Sequence, residues 1–223
     1  KQLYRKWTGG GHKVHSSNNT LESAHDIFFL FQKSLEFFLS EKDWNDKIED
    51  KKINIQGYDG WVSFKEMCNF INKSSNYVIL RNYENLEDRP LGLDIDILAS
   101  DRDFHYHING SRKHRYKNRA AYEVSIQNNK YDVDVRFSGD GYYDSNWVSD
   151  IIENRILYKN KFFIPDPVNE FYSLLYHILI HKNNLNDKYN AKLTELSLKI
   201  DLKLDSTMLG DRDKMFNLLS IFL

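Results

Sequence analysis

The 223-residue chain carries 31 Lys+Arg against 32 Asp+Glu, a formal net charge of −1. With 41% hydrophobic and 14% aromatic residues it is not a disordered polypeptide. No apolar run approaches the roughly 18 residues that a membrane span needs, and the single Cys68 excludes a disulfide framework and a cysteine-based zinc site.

A charge near zero does not favour nucleic acid as a bulk partner, although it leaves local basic patches open. The length suits one domain or one and a half. The chain opens on Lys1 and closes on apolar residues, so it reads as a cytoplasmic piece of a longer protein, whose other domains would be its partners.

Residues 1–59 read as an N-terminal segment of loop plus helix. The first twenty residues are polar and contain Gly9-Gly10-Gly11. Asn19 and Glu22 have the spacing of a capping box, and Ile27, Leu30, Phe31, Leu35 and Phe38 then recur at helical spacing. A charged stretch from Glu41, including Trp44, ends in the turn-like Gln56-Gly57-Tyr58-Asp59-Gly60.

Residues 60–165 read as the α/β core. Ser63 and Glu66 form a second capping box, leading a helix through Ile71. Tyr77-Val78-Ile79-Leu80-Arg81 is a β-rich run. A polar loop with Arg89-Pro90 and Gly92 leads to Leu93-Asp94-Ile95-Asp96-Ile97-Leu98, which alternates with period two. Tyr122–Ile126 and Tyr131–Phe137 are two more alternating runs, and Gln127-Asn128-Asn129-Lys130 between them suits a hairpin turn. Residues 166–223 read as helical. Asp166-Pro167 is a start signal, Phe171, Leu174, Leu175, Ile178 and Leu179 form an apolar face, and further helices follow around Leu193–Ile200 and Met215–Leu223. Helix, strand, strand, hairpin, then helices is the order of an α+β fold.

The informative feature is Asp94-Ile95-Asp96 on one strand with Asp132 and Asp134 on another. Carboxylates two residues apart on one strand face lie about 7 Å from each other and repel. Mg²⁺ or Mn²⁺ relieves that repulsion, since hard cations take oxygen ligands and keep company with substrate phosphates. A third carboxylate from a neighbouring strand completes a clamp suited to phosphoryl or nucleotidyl transfer. A solvated polar face on an edge strand accounts for one Asp-x-Asp, but two such pairs backed by apolar faces favour the metal.

These residues resemble the nucleotidyltransferase superfamily, the fold of DNA polymerase β and the small MNT-type proteins, over about residues 60–200. The family has a strand ending in Gly-Ser, about ten residues, Asp-x-Asp, and a third Asp on a later strand. Here ten residues, Glu84 to Leu93, separate Asn82-Tyr83 from Asp94, so the spacing is met while Gly-Ser is replaced. The resemblance is closer to bacterial nucleotidyltransferase-like proteins with an Arg-rich loop before the first Asp, a Val-Asp-aliphatic run like Val133-Asp134-Val135, and a His-containing helix like Tyr176–Lys182. It implies a nucleotidyltransferase-like mixed sheet flanked by helices. Asp94, Asp96 and Asp134 would be catalytic and hold Mg²⁺ or Mn²⁺, with Asp132 as the alternate third acid. Arg81, Asn82, Tyr83 and Arg89 would bind a nucleoside triphosphate. The acceptor would be a small molecule or polymer, for example a cell-surface sugar or polyol phosphate precursor. The alternative is a catalytically inactive nucleotide-binding or assembly module, for which the absent Gly-Ser speaks.

Other features stay open between chemistry and structure. Arg102, Arg112, Lys113, Arg115, Lys117 and Arg119, interspersed with His105, His107 and His114, could contact polyphosphate or form a solvated face. Gly139–Asp144 reads as a turn that could also hold the acceptor. His177 and His181 have the i, i+4 spacing of paired ligands but no third ligand, and read as packed or surface histidines. The run Lys13 to Ala24 resembles the end of a nucleoside diphosphate kinase, which would make His15 the phosphorylated residue. A Gly/Ser-rich loop before a helix explains the same residues more simply.

Overall fold

The computed structural model of the chain describes residues 2–12, 16–17, 20–31, 35–40, 54–86, 94–100, 102–116, 119–182, 187–204 and 206–223. Two compact units emerge, Lys1–Asp59 and Gly60–Leu223.

In the first unit, α1 (Gln2–Trp7), α2 (Thr20–Phe31) and α3 (Leu35–Ser40) are helical. Helix α1 lies where sequence reading expects a loop. The polar average over twenty residues hides Leu3, Tyr4 and Trp7, and the Tyr4 and Trp7 rings meet edge-on at 5.2 Å. Gly9, Gly10 and Gly11 then turn the chain with positive φ, and the Gly10 amide donates back to the Arg5 carbonyl. His15, Asn19 and Trp44 lie outside the described residues.

The second unit is an α+β fold around a mixed sheet. Helix α4 (Phe64–Ser74) begins as its capping residues require: Ser63 Oγ accepts from the Glu66 amide. Glu66 reaches back to the Val62 amide at 2.7 Å, one residue earlier than in the usual box. Strands β1 (Tyr77–Ile79), β2 (Ile95–Ala99), β3 (Ser111–Tyr116), β4 (Arg119–Ile126) and β5 (Asn129–Phe137) follow. Their order across the sheet is β1-β2-β5-β4-β3. The pair β2/β5 is parallel and the others antiparallel. Gln127 and Asn128 form the β4–β5 turn, both with positive φ, the geometry that matches strand twist in two-residue hairpins.

Two features of this sheet place the site. First, the parallel register sets Ile95 against Val133, Asp96 against Asp134 and Ile97 against Val135. Second, the two faces are covered differently. Tyr131, Val133 and Val135 face α4, where the Phe64 and Tyr131 rings meet at 4.9 Å. The other face carries Asp96 and, two residues on, Leu98, which is buried with Val78 and Leu80 against α5 (Ser145–Glu153) through Trp147, Val148, Ile151 and Ile152. The end of that face bearing the aspartates borders a cavity.

A short hairpin, β6 (Ile156–Tyr158) and β7 (Phe162–Ile164), precedes the C-terminal helices. Asp166 caps α6 (Pro167–Tyr176), accepting from the Val168 and Asn169 amides. A π-helical segment, His177–Lys182, continues directly from it. Then come α7 (Asp187–Lys199), α8 (Ser206–Leu209) and α9 (Arg212–Phe222). Their core is Phe171, Leu174, Leu175, Ile178, Leu179, Leu193, Leu196, Met215 and Leu219. No helix among the described residues is long and apolar enough to cross a membrane.

Candidate active site

Asp94, Asp96 and Asp134 converge. Each offers a carboxylate oxygen, and the three oxygens lie within 4.8 Å of one another. The β2/β5 register produces this, because neighbouring residues on paired strands present their side chains on the same face. Asp94 is exposed while Asp96 and Asp134 are half-buried. Three hard oxygen donors from adjacent backbone segments are a ligand set that could hold Mg²⁺ or Mn²⁺.

Arg81 already engages one of them. Its Nε and Nη2 donate to the two Asp96 oxygens at 2.9 and 2.8 Å, a two-pronged fork, with both side chains 15% exposed. Burial works against the guanidinium charge, but the Asp96 hydrogen bonds and charge outweigh it and raise the Arg81 pKa.

These groups line a cavity of about 730 Å³, within the usual range for small-molecule sites. On the sheet side it is bounded by Leu80, Arg81, Asn82, the three aspartates, Arg136 and Tyr142. On the helical side lie Glu170, Leu174, His177, His181 and Lys182, then Lys188, Tyr189, Lys192 and Glu195 of α7. Lys192 bonds Glu84 at 2.7 Å.

Tyr142 joins the two sides. Its hydroxyl lies 3.0 Å from His177 Nδ1, its ring stacks on His181 at 4.2 Å and 6°, and the Arg136 guanidinium sits 4.0 Å from the ring centroid. The loop that presents it is a turn held by Asp140, whose carboxylate accepts from the Tyr142 amide at 2.8 Å and lies 3.7 Å from Arg136. Burial and then the Arg81 charge push the His177 pKa down to about 3. Burial, Arg136 and Arg81 likewise lower that of His181.

The structure distributes the remaining sequence-derived candidates. Asn82 lines the cavity in a left-handed turn, φ 56°, a conformation asparagine tolerates. That turn throws the next side chain the other way. Tyr83 is buried against Tyr158 and Phe162 and donates to Glu170 Oε1 at 2.6 Å. It therefore adds no bulk to the cavity and is no part of its lining. Asp132 is not in the cluster; it pairs with Lys113 at 2.6 Å on the open part of the sheet. Among the described residues the basic stretch contributes no lining residue: Ser111–Tyr116 of it is the edge strand β3, and His105 and His107 are buried. Arg89 lies outside the described residues.

Sequence reasoning reads His177 and His181 as packed or surface histidines. Both pack on Tyr142 and also line the cavity, with Arg136, Lys182, Lys188 and Glu170, which it does not single out as site residues. A signal existed for Arg136, which follows Asp132 and Asp134 on the same strand face. For the helical residues only the three-dimensional packing supplies it. Comparison with family models, with curated proteins and with solved structures gives no match.

Proposed function

We propose that the Gly60–Leu223 unit is a metal-dependent nucleotidyltransferase, moving a nucleoside monophosphate from a nucleoside triphosphate to a hydroxyl or phosphate acceptor. The observation that carries this reading is the meeting of Asp94, Asp96 and Asp134 at a cavity that also holds Arg81, Arg136, Lys182 and Lys188. Carboxylates alone would repel a triphosphate, and cations alone would bind any anion. The two together suit a metal–polyphosphate.

Asp94, Asp96 and Asp134 would hold Mg²⁺ or Mn²⁺, which when bound draws charge from the phosphate oxygens. Asp134 takes the proton of the attacking acceptor at a carboxylate oxygen. The acceptor oxygen forms a bond to the α-phosphorus as the bond from that phosphorus to the bridging oxygen breaks, and pyrophosphate leaves. Lys182 and Lys188, long exposed cations on the helical side, meet the phosphate tail. General-base assistance contributes typically 10²–10⁴-fold.

A second reading, a nucleotide-binding module without turnover, is favoured by Arg81, whose fork occupies both oxygens of Asp96. One series of measurements separates the two. Millimolar Mg²⁺ or Mn²⁺ with a nucleoside triphosphate should raise the melting temperature, and Asp94→Asn should remove most of the rise. Asp134→Ala should cut pyrophosphate release from labelled nucleotide by at least about 10²–10⁴-fold. Binding without pyrophosphate release from any acceptor tried would select the second reading. No response to metal and nucleotide would overturn both.

A further inference from the structure

Helix α6 ends in a π-helical segment at the wall of the cavity, and such wide turns frequently mark functional positions. The first residue of the segment is His177, half-buried and lining the cavity. Its Nδ1 lies 3.0 Å from the Tyr142 hydroxyl. A phenol can donate or accept, so the direction of this bond depends on what else surrounds the phenol oxygen. The charged neighbours acting on Tyr142 are Arg81, which also reaches it as a side-chain donor, and Arg136, with Asp96 beyond them. A guanidinium has no lone pair to offer. Among the described residues, His177 Nδ1 is the partner of the Tyr142 hydroxyl that is able to take its proton, since Arg81 can only donate. The single Tyr142 proton therefore belongs on the bond to Nδ1. Nδ1 then accepts, and the ring proton sits on Nε2.

We propose that Tyr142 locks His177 in the Nε2–H form, so that His177 presents a neutral N–H donor to an anionic phosphate oxygen of the ligand in the cavity. This rests on the nucleotide reading above and adds a residue to it. A neutral donor has a specific advantage beside three carboxylates. An imidazolium there would be drawn to Asp96 and would compete with the cation those carboxylates hold. A neutral N–H bonds a phosphate oxygen without that competition. The Arg81 charge and the burial of the ring, which hold His177 uncharged well below neutral pH, agree with the arrangement.

Two measurements test it. Long-range proton–nitrogen spectra of the histidine-labelled protein at neutral pH, with the His177 signal assigned by its loss in His177→Gln, should show a bare Nδ1 and a protonated Nε2. Adding Mg²⁺ with a non-hydrolysable nucleoside triphosphate should move Nε2 and leave Nδ1 in place. Calorimetry with the same probe then uses amide geometry. A glutamine amide reaches the position of Nε2 and an asparagine amide that of Nδ1. His177→Gln should keep affinity within about threefold, whereas His177→Asn should lose about tenfold or more, the worth of one hydrogen bond to a charged group. An Nδ1–H tautomer, an unmoved Nε2 with the probe bound, or equal affinities in the two variants overturns this assignment while the nucleotide reading stands. Failure of the wild-type protein to bind the probe overturns both. The signal is assigned equally by its loss in His177→Asn, so misfolding of one variant does not remove the test.

Discussion

On the sheet side of the cavity the charged groups ride strands whose positions are fixed by hydrogen bonds to neighbours on both flanks. β2 lies between β1 and β5, and β5 between β2 and β4. On the helical side they ride a π-helical segment and α7, as the exposed cations Lys182 and Lys188 at the ends of long flexible stems. The difference is one of preorganisation. Asp96 and Asp134 are held side by side by the backbone before any ligand arrives, with a lasting electrostatic cost that Arg81 offsets. The lysines cost little in the empty site but must lose rotamer freedom when they meet a ligand, up to about 2 kcal/mol each. Under the proposed function the sheet side therefore governs stability and the helical side affinity.

The largest expected effect comes from breaking the sheet side. Arg81→Ala leaves Asp96 half-buried beside Asp94 and Asp134 without its counter-charge. Removing one partner of a well-buried pair costs 3–5 kcal/mol, and the 15% exposure of both partners places this one near roughly 3 kcal/mol. Denaturant titration should show that loss, and millimolar Mg²⁺ should restore part of it, since a divalent cation replaces the missing charge. Lys188→Ala, by contrast, should leave the unfolding free energy unchanged and weaken only nucleotide binding. Equal stability losses in the two variants would break the comparison.

The same contrast decided what could be read from the sequence. The α+β order, the hairpin at Gln127–Asn128, the Asp166 cap and the alternation of Asp94-Ile95-Asp96 were legible, because each is local chemistry along a few residues. Which aspartate of β5 faces Asp96 was not, because the parallel register joins residues 38 apart in sequence, Asp96 and Asp134. Strand β3 was hidden because edge strands carry charges that resist pairing with other chains, and so read like a loop. His177 and His181 read as packed or surface histidines, and both pack on Tyr142, one half-buried and one exposed. What the sequence hides is that the loop carrying Tyr142 lies against them, 35 residues away from His177. Tyr83 was misplaced by one dihedral angle, the positive φ of Asn82.

Tyr83 ties the two sides together, and loosening it should have the next largest effect. Its hydroxyl donates to Glu170, which is 5% exposed at the start of α6. Tyr83→Phe leaves that carboxylate without its donor, at a cost of about 1–3 kcal/mol. A pH dependence sharpens the test. Burial raises the Glu170 pKa above the ordinary carboxylate range, against the lowering pull of Tyr83, Lys192 and Lys199, with Glu84 adding to the rise. The folded protein thus binds the Glu170 proton more tightly than the unfolded chain. This contribution to stability is complete in acid and is lost as pH rises from the ordinary carboxylate value through the raised one. Denaturant curves across this range should fall more steeply for Tyr83→Phe, whose loss raises the Glu170 pKa further. They should flatten for Glu170→Gln, which cannot ionise. A pH-independent difference between Tyr83→Phe and wild type would place the loss in packing alone.

The smallest expected effect is the most discriminating within the sheet side. Asp132 and Asp134 lie two residues apart on one strand and point the same way, and sequence alone offered either as the third acid. The structure separates them by their partners. Asp134 stands opposite Asp96 and within its carboxylate cluster. Asp132 lies one residue beyond the first β2/β5 rung, Ile95–Val133, and bonds Lys113 of the edge strand in a pair that is 42% and 41% exposed. Solvent screens such a pair and side-chain ordering offsets it. Asp132→Asn should therefore leave both the melting temperature and its response to Mg²⁺ where they are in the wild type. Asp134→Asn should remove most of the Mg²⁺ response, since a carboxamide oxygen carries no charge to hold the cation. Thermal scans of the two variants with and without Mg²⁺ make the comparison directly. If Asp132→Asn abolished the response and Asp134→Asn kept it, the cation would sit two residues further along β5, away from Arg81 and the Tyr142–His177 pair, and the cavity would lose its connection to the metal.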